Sequence, residues 1–472
     1  MKLLFLPGIN SWRSYTAKAR VYDAFVKAKR NTPAYRDFMR SQHFSRPSFS
    51  GLIPNIHEIP VTDKEGYVKK YAMSDRCVDG RIATKGVVID ESSGSSGTAT
   101  NWARGKKERN VNGRFIRFGI RNLFGNDPIF FINAFALGSW ATGINITMSC
   151  VTFSRIKSPG PDRQKIVNTI RQFGKAYRYI IMGYPPFLKL LVDDADIDWH
   201  AYDISFIFGG ESMSEGLRDY LRSRGIRHIY SSFGASDLEL NIAAENDYTI
   251  SLRQLLGRNA RLRERVIKYP GALPMLFQFN PADFLIETSA SGELIISICR
   301  PGYLAPKIRY NIHDRGQVIQ VKELLTILHE LQIPEEEYQR PQTDLPLLLH
   351  YGRADMTVAF FGSNISPTDI QEAIAGLPEF LQSVHSFCMT TTEDADGGKQ
   401  FIVSMELHRS QAEAGQVLSP QAFFDQLSRI NQDFREARRM LAGGGQAILE
   451  LHEFGNGPFT NADMRIKARY LY

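Results

Sequence analysis

Ile204-Ser205-Phe206-Ile207-Phe208-Gly209-Gly210-Glu211 is an apolar run of strand length that stops at a glycine pair. Ser214 follows as an N-cap, the spacing predicts a helix to Arg224, and Gly225 stands where a C-cap glycine belongs. Another strand is expected over Arg227–Ser231. Upstream the alternation repeats, with a helix expected over Asp162–Phe173, a strand at Tyr179-Ile180-Ile181-Met182 and a helix over Pro186–Val192. Strand–helix–strand units at this spacing require right-handed crossovers and a mostly parallel sheet. Such sheets bind ligands in loops beyond the C-terminal ends of their strands. Gly209-Gly210-Glu211 is therefore the first place to look for a site.

Toward the N-terminus, Phe130-Phe131-Ile132-Asn133-Ala134-Phe135 reads as a buried strand, followed by a loop carrying Gly138, Trp140 and Gly143. A helix is expected near Asn110–Phe118. Before it, the β-branched run Gly86-Val87-Val88-Ile89-Asp90 leads into Ser92-Ser93-Gly94-Ser95-Ser96-Gly97-Thr98. Alternating hydroxyls and glycines let backbone N–H groups converge on a polyphosphate. No Gly-Lys-Ser/Thr closes the stretch, so it is not a Walker loop, and Trp102, Arg104, Lys106 and Lys107 end its low-complexity character. Residues 1–80 form a largely helical lead-in, with Val21, Phe25 and Ala28 at helical spacing. From about residue 270 the strands shorten, as at Gly292–Ile296, and the charged 322–345 stretch reads as a surface insertion. A smaller unit then opens, with a capped helix at Ser366-Pro367-Thr368-Asp369. The expectation is an α/β protein: a large N-terminal domain over 1–351, with mostly parallel sheets flanked by helices, and a small mobile α+β domain over 352–472.

The chain has 472 residues, 43% hydrophobic and 23% charged, which suits a soluble protein of two or three domains. A net charge of +7 fits an anionic small molecule and, spread over so long a chain, argues only weakly for nucleic acid, which is not expected as a partner. Cys77, Cys150, Cys299 and Cys388 are far apart, without a Cys-x-x-Cys pair, so a disulfide framework or a cysteine-rich zinc site is not expected. The apolar start is too short for a signal peptide, and no stretch reaches the length of a membrane span. The sequence-based expectation is a cytoplasmic protein, monomeric or homodimeric, with no membrane partner.

Downstream stretches complete the pattern: Gly209-Gly210-Glu211; Tyr230-Ser231-Ser232-Phe233-Gly234-Ala235-Ser236-Asp237; Arg309-Tyr310-Asn311-Ile312-His313-Asp314; Gly352-Arg353-Ala354-Asp355; Gly362-Ser363-Asn364-Ile365-Ser366-Pro367; and a late Lys467. In this order they resemble the adenylate-forming superfamily, most closely its phenylacetate–CoA ligase branch, over roughly residues 85–472. The resemblance implies two steps. A carboxylic acid attacks the α-phosphorus of ATP to give acyl-AMP and pyrophosphate, and a thiol, usually that of CoA, then displaces AMP. It also implies roles. Ser92 to Thr98 would hold the β- and γ-phosphates. Gly209, Gly210 and Glu211 would lie against adenine, with Phe233 stacked on the purine beside Ser232, Gly234 and Ser236. Asp237 would hold Mg²⁺. Asp314 would bond the ribose hydroxyls, and Arg353 would reach ribose or phosphate. Lys467 would bridge carboxylate and α-phosphate, and Asp355 would be the hinge on which the small domain turns.

The chain departs from the family pattern at three positions. Thr98 stands where a lysine is usual, leaving one phosphate charge to Arg104 or Lys106. Phe233 replaces tyrosine, and Asp237 replaces glutamate. The C-terminal lysine also lacks its usual preceding glycine, with Arg465 as the fallback. The acyl pocket is expected from Phe135, Gly138, Trp140 and Tyr184, whose aromatic character favours an aryl or other flat acid. Two alternatives to acid–thiol ligation follow: adenylation with transfer to a carrier protein or an amine, or nucleotide binding with little turnover.

Overall fold

The computed structural model describes residues 8–91, 100–125, 128–138, 141–194, 196–269, 271–353, 358–360, 363–393, 399–409, 418–431, 434–435, 438, 446–460 and 470–471. Its central sheet has 11 strands. One half is parallel and runs Arg155–Lys157, Ile129–Asn133, Arg178–Gly183, Asp203–Gly209, His228–Phe233 across the sheet. Ile129–Asn133, Arg178–Gly183 and Asp203–Gly209 are buried on both faces, which is why they read as apolar runs, whereas the edge strand Arg155–Lys157 is largely exposed. Helices Arg163–Phe173, Pro185–Asp194 and Glu215–Ser223 make the crossovers between them. The α/β class and the predicted crossover unit are therefore present. Beyond Phe233 the sheet continues antiparallel through Ala243–Ala244, Met275–Phe279, Leu347–Arg353, Tyr310–Ile319, Glu293–Ile298 and Phe284–Thr288.

Local chemistry sets the boundaries. Ser214 Oγ accepts from Leu217 N at 3.1 Å and starts the helix. Gly225 ends it at φ +102°, and a Cβ there would lie 2.9 Å from His200 N. Helices Asn10–Asn31 and Pro33–Ser41 form the lead-in, the first burying Ala17, Val21, Phe25 and Ala28. The helix expected near Asn110–Phe118 runs longer, over Lys106–Phe124.

The 322–345 stretch does not lie wholly on the surface. Val321–Glu330 is a helix whose Leu324 and Leu328 are buried against Leu252, Leu255 and Leu262. Its apolar positions are spaced one helical turn apart among charges, so the sequence shows the charges first.

A second core gathers Phe360, Ile365, Ile370, Phe380, Phe401 and Phe423 with their neighbours. Strands Val384–Glu393, Lys399–Leu407 and Gln446–His452 form its sheet. The expected cap is present: Ser366 Oγ accepts from Asp369 N, and Asp369 Oδ2 accepts from Ser366 N at 2.7 Å. Asp369 Oδ1 also accepts from Ala272 N at 2.7 Å, and Arg253 pairs with Glu372 at 3.4 Å, which docks this unit on the large one. The four cysteines are buried and free. No helix among the described residues is long and apolar enough to cross a membrane.

Candidate active site

A cavity of about 750 Å³ opens beyond the C-terminal ends of the parallel strands. At one end it is lined by the Gly209-Gly210-Glu211 turn, by Ser232 to Asp237, by Asp314, and by Gly352 and Arg353. The fold thus brings together stretches separated by more than a hundred residues. Asp314 lies directly opposite Arg353 in the antiparallel register, and Gly352, at φ +94°, precedes that arginine.

Each of these residues is held by specific neighbours. Gly210 has φ +80°, and a Cβ there would lie 2.7 Å from the Tyr184 ring. What Gly210 relieves is therefore crowding against Tyr184, in addition to any crowding by a ligand. Gly234 is required by the backbone itself, since its Cβ would lie 2.3 Å from Leu240 O. Glu211 Oε2 accepts from Tyr470 Oη at 2.5 Å. Tyr470 also accepts from Gln371 and forms part of the cavity lining. Ser232 Oγ donates to Asn241, which donates to Asn112 at 2.8 Å. Phe233 is buried, its ring centroid 4.6 Å from that of His350 and 5.7 Å from that of Phe277. Asp237 Oδ2 accepts from Tyr310 Oη at 2.8 Å. Burial, and then the Asp237 carboxylate, hold the Tyr310 phenol well above its usual range, so it stays a donor at neutral pH.

Several predicted positions fall elsewhere. Ser92 to Thr98, Trp140, Asp355, Arg465 and Lys467 lie outside the described residues. Strands Val88–Glu91 and Asn101–Arg104, which flank the Ser/Gly stretch, pair antiparallel. Phe135 and Tyr184 line the cavity and meet edge to face at 4.8 Å, whereas Gly138 is exposed and not part of the lining. Arg104 is not available to phosphate. Its Nε donates to Asp90 at 2.6 Å, Nη1 to Leu238 O at 2.9 Å and Nη2 to Ser236 O at 2.5 Å, all of it buried. Lys106 is exposed at the start of its helix.

Sequence reasoning gave no role to His350, Tyr310, Tyr470 or Lys307. His350 Nε2 pairs with Asp314 Oδ2 at 2.9 Å and orients the carboxylate predicted to meet ribose. Lys307 is enclosed beside Asp237, and burial pushes its ammonium down to about 7. A lone lysine in a turn-rich stretch carries no periodic signal. Tyr310 and His350 could have been suspected from motif adjacency alone.

The far end of the cavity is apolar. Helix Lys106–Phe124 turns Phe115, Ile116, Gly119, Ile120 and Leu123 toward it, opposite Met182 and Ile207 of the sheet. A Cβ on Gly119 would meet nothing within 4 Å.

The donor set fits a metal carried in by nucleotide phosphates better than one held by protein alone. Among the described residues no group of three or more histidine, cysteine or acidic side chains could hold an ion. Asp237 lines the cavity with one oxygen engaged by Tyr310.

No protein-family model and no curated protein matches the chain. Solved structures do. The crystal structure of 2-hydroxyisobutyryl-CoA ligase in the postadenylation state, in complex with R3-HIB-AMP, superposes with TM-score 0.66 at 14% identity, over 99% of this chain and 90% of that one. The same ligase with 2-HIB-AMP and CoA in the thioesterification state gives 0.55 at 12%, over 97% and 90%. The amide bond synthetase McbA from Marinactinospora thermotolerans gives 0.51 at 12%, over 78% and 66%. At these identities the likeness is one of fold, and it spans both cores. The chain has the fold of the adenylate-forming acyl-CoA ligases.

Proposed function

We propose that the protein uses ATP to activate an apolar organic acid as its acyl-adenylate and then passes the acyl group to a thiol, with CoA as the acceptor. The carrying observation is one continuous cavity. It joins the Gly209–Glu211 turn, the Phe233–Asp237 segment and the facing pair Asp314 and Arg353 to an apolar helix face. The phenylacetate–CoA ligase branch is the subtype the motifs favour, with an aryl or other flat acid as substrate.

In this reading Asp314, oriented by His350, accepts hydrogen bonds from the ribose hydroxyls, and Arg353 opposite it reaches ribose or phosphate. Phe233 and the Gly209-Gly210 turn form the walls of the base pocket, and Phe115, Ile116 and Ile120 exclude water around the acid. Asp237, held by Tyr310, would be the protein ligand of a phosphate-bound magnesium ion, which supplies charge neutralisation when bound. Lys467 stabilises charge developing at the α-phosphate. The test is ATP–pyrophosphate exchange with Mg²⁺ against a panel of aryl and aliphatic acids, followed by AMP release on adding CoA. Exchange with no acid in the panel would overturn the reading. Release by an amine or carrier protein alone would move the acceptor and leave the first step.

Two predictions arise from this site. Gly119→Ala removes a helix-interior glycine without a clash, so it should raise stability by about 0.5–1 kcal/mol. Gly119→Leu should fill the apolar end and shift the preferred acid to shorter or smaller ones, read as a change in the kcat/KM ratio between two acids of different length. An unchanged ratio would remove the helix from the acyl pocket. Lys467→Ala should lower adenylate formation by about 10²–10³-fold and leave the reaction of supplied acyl-adenylate with thiol much less affected. Equal loss of both half-reactions would assign Lys467 to packing.

A further inference from the structure

Below the nucleotide end of the cavity lies a second, smaller space of about 20 Å³, roughly the room one oxygen atom needs. Ser236 and Asp237 line both spaces. Two basic side chains meet at the smaller one: Arg76, and Lys307, whose ammonium burial pushes down to about 7. Lys307 Nζ lies 3.9 Å from the Trp102 ring centroid and 5.2 Å from that of Tyr310. The guanidinium carbon of Arg76 lies 5.6 Å from the same Trp102 ring. Arg76 is 9% exposed, and its Nε is buried with no hydrogen-bond partner. Among the described residues neither cation has a carboxylate within 4 Å.

The nearest acids have hydrogen-bond partners of their own, though Asp237 keeps its charge against the neutral Tyr310 phenol and acts on Lys307 and Arg76 at longer range. Arg104 is taken by Asp90, Glu108 accepts from Leu304 N, and Asp237 accepts from Tyr310. Two basic side chains held by π-faces, with Asp237 near both but no carboxylate in contact with either, cost stability when both are charged. A polyanion reaching in from the nucleotide end would remove that cost. Trp102 stands in the strand that leaves the Ser/Gly stretch, in register with Asp90 of the strand that enters it. The pair therefore lies against a strand that flanks the stretch expected to meet the phosphates.

Resting on the activation reading above, we propose that Lys307 and Arg76 hold the outer phosphates of the triphosphate, supplying from beneath the charge that Thr98 does not. The pair selects ATP over AMP and then binds the departing pyrophosphate. One phosphate oxygen fits between the two cations, and Trp102 keeps both side chains in place without neutralising them.

The experiment is calorimetric binding of ATP and of AMP, each with Mg²⁺ and without acid, to the wild type, Lys307→Met, Lys307→Arg and Arg76→Gln. Wild type should bind ATP more tightly than AMP. Lys307→Met and Arg76→Gln should each weaken ATP by about tenfold or more and leave AMP unchanged. Lys307→Arg, which keeps the charge, should retain most of the ATP affinity. Equal weakening of ATP and AMP would show a packing role, and no weakening of either would show that the phosphates lie elsewhere. Both results overturn the proposal while AMP binding leaves the activation reading standing. A wild type that binds neither nucleotide would overturn that reading as well.

Discussion

Asp237→Ala is expected to lower magnesium-dependent pyrophosphate exchange by about 10²-fold or more, to the limit of detection. Asp237 is the acid of the Phe233–Asp237 segment, and Tyr310 fixes its orientation. Removing the carboxylate takes away the only protein acid that this reading gives the metal. The change leaves the buried Tyr310 hydroxyl without its acceptor, so the urea midpoint of the variant is measured beside its exchange rate. Tyr310→Phe separates the parts. It keeps the carboxylate and frees its rotation, so the loss should be smaller and should fall on kcat more than on KM for ATP. Near-wild-type exchange in Asp237→Ala, measured over a range of Mg²⁺ concentrations, would take Asp237 out of the site.

The second large effect is on stability. Arg104→Leu should destabilise the protein by about 3–5 kcal/mol, because it leaves a buried carboxylate without its counterion. Asp90 is fully buried and, among the described residues, otherwise bonded only by Asn145 at 2.9 Å. Ser236 O and Leu238 O would lose their donor as well. Adding Asp90→Asn to Arg104→Leu should recover part of the loss, since the orphaned charge goes with it. The check is the urea midpoint of wild type, both single variants and the double variant. A double variant less stable than Arg104→Leu alone would show that packing, and not the buried charge, sets the cost.

How far the sequence revealed this molecule depended on the kind of signal. The parallel half of the sheet was legible because strands buried on both faces read as apolar runs, and Ser214 and Gly225 punctuate the helix between two of them. The antiparallel half was much less so, because Ala243–Ala244 is only two residues long and joins the two halves without a pattern of its own. Motif order singled out Asp314 and Arg353 but not their facing register, nor His350 beside them. A histidine between a buried leucine run and a glycine is as readily a core residue as a functional one. Arg104 shows the opposite failure. It stands next to a phosphate-like stretch and looks available to it, yet its donors are spent on Asp90 and two backbone carbonyls. Charge alone does not tell whether a guanidinium faces a ligand or the interior.

The helix Lys106–Phe124 separates two histories within one element. Its first half is tied to the nucleotide end through Asn112, which bonds Asn241 and through it Ser232. Its second half turns Phe115, Ile116, Gly119, Ile120 and Leu123 to the apolar end. Substitutions along those later turns change the shape offered to an acid while the tie to the nucleotide end stays intact. Under the proposed activity, single substitutions on those turns would change the choice of acid and leave the nucleotide site as it is. Gly119, the smallest residue on that face, is the position from which such a change has the most room to begin.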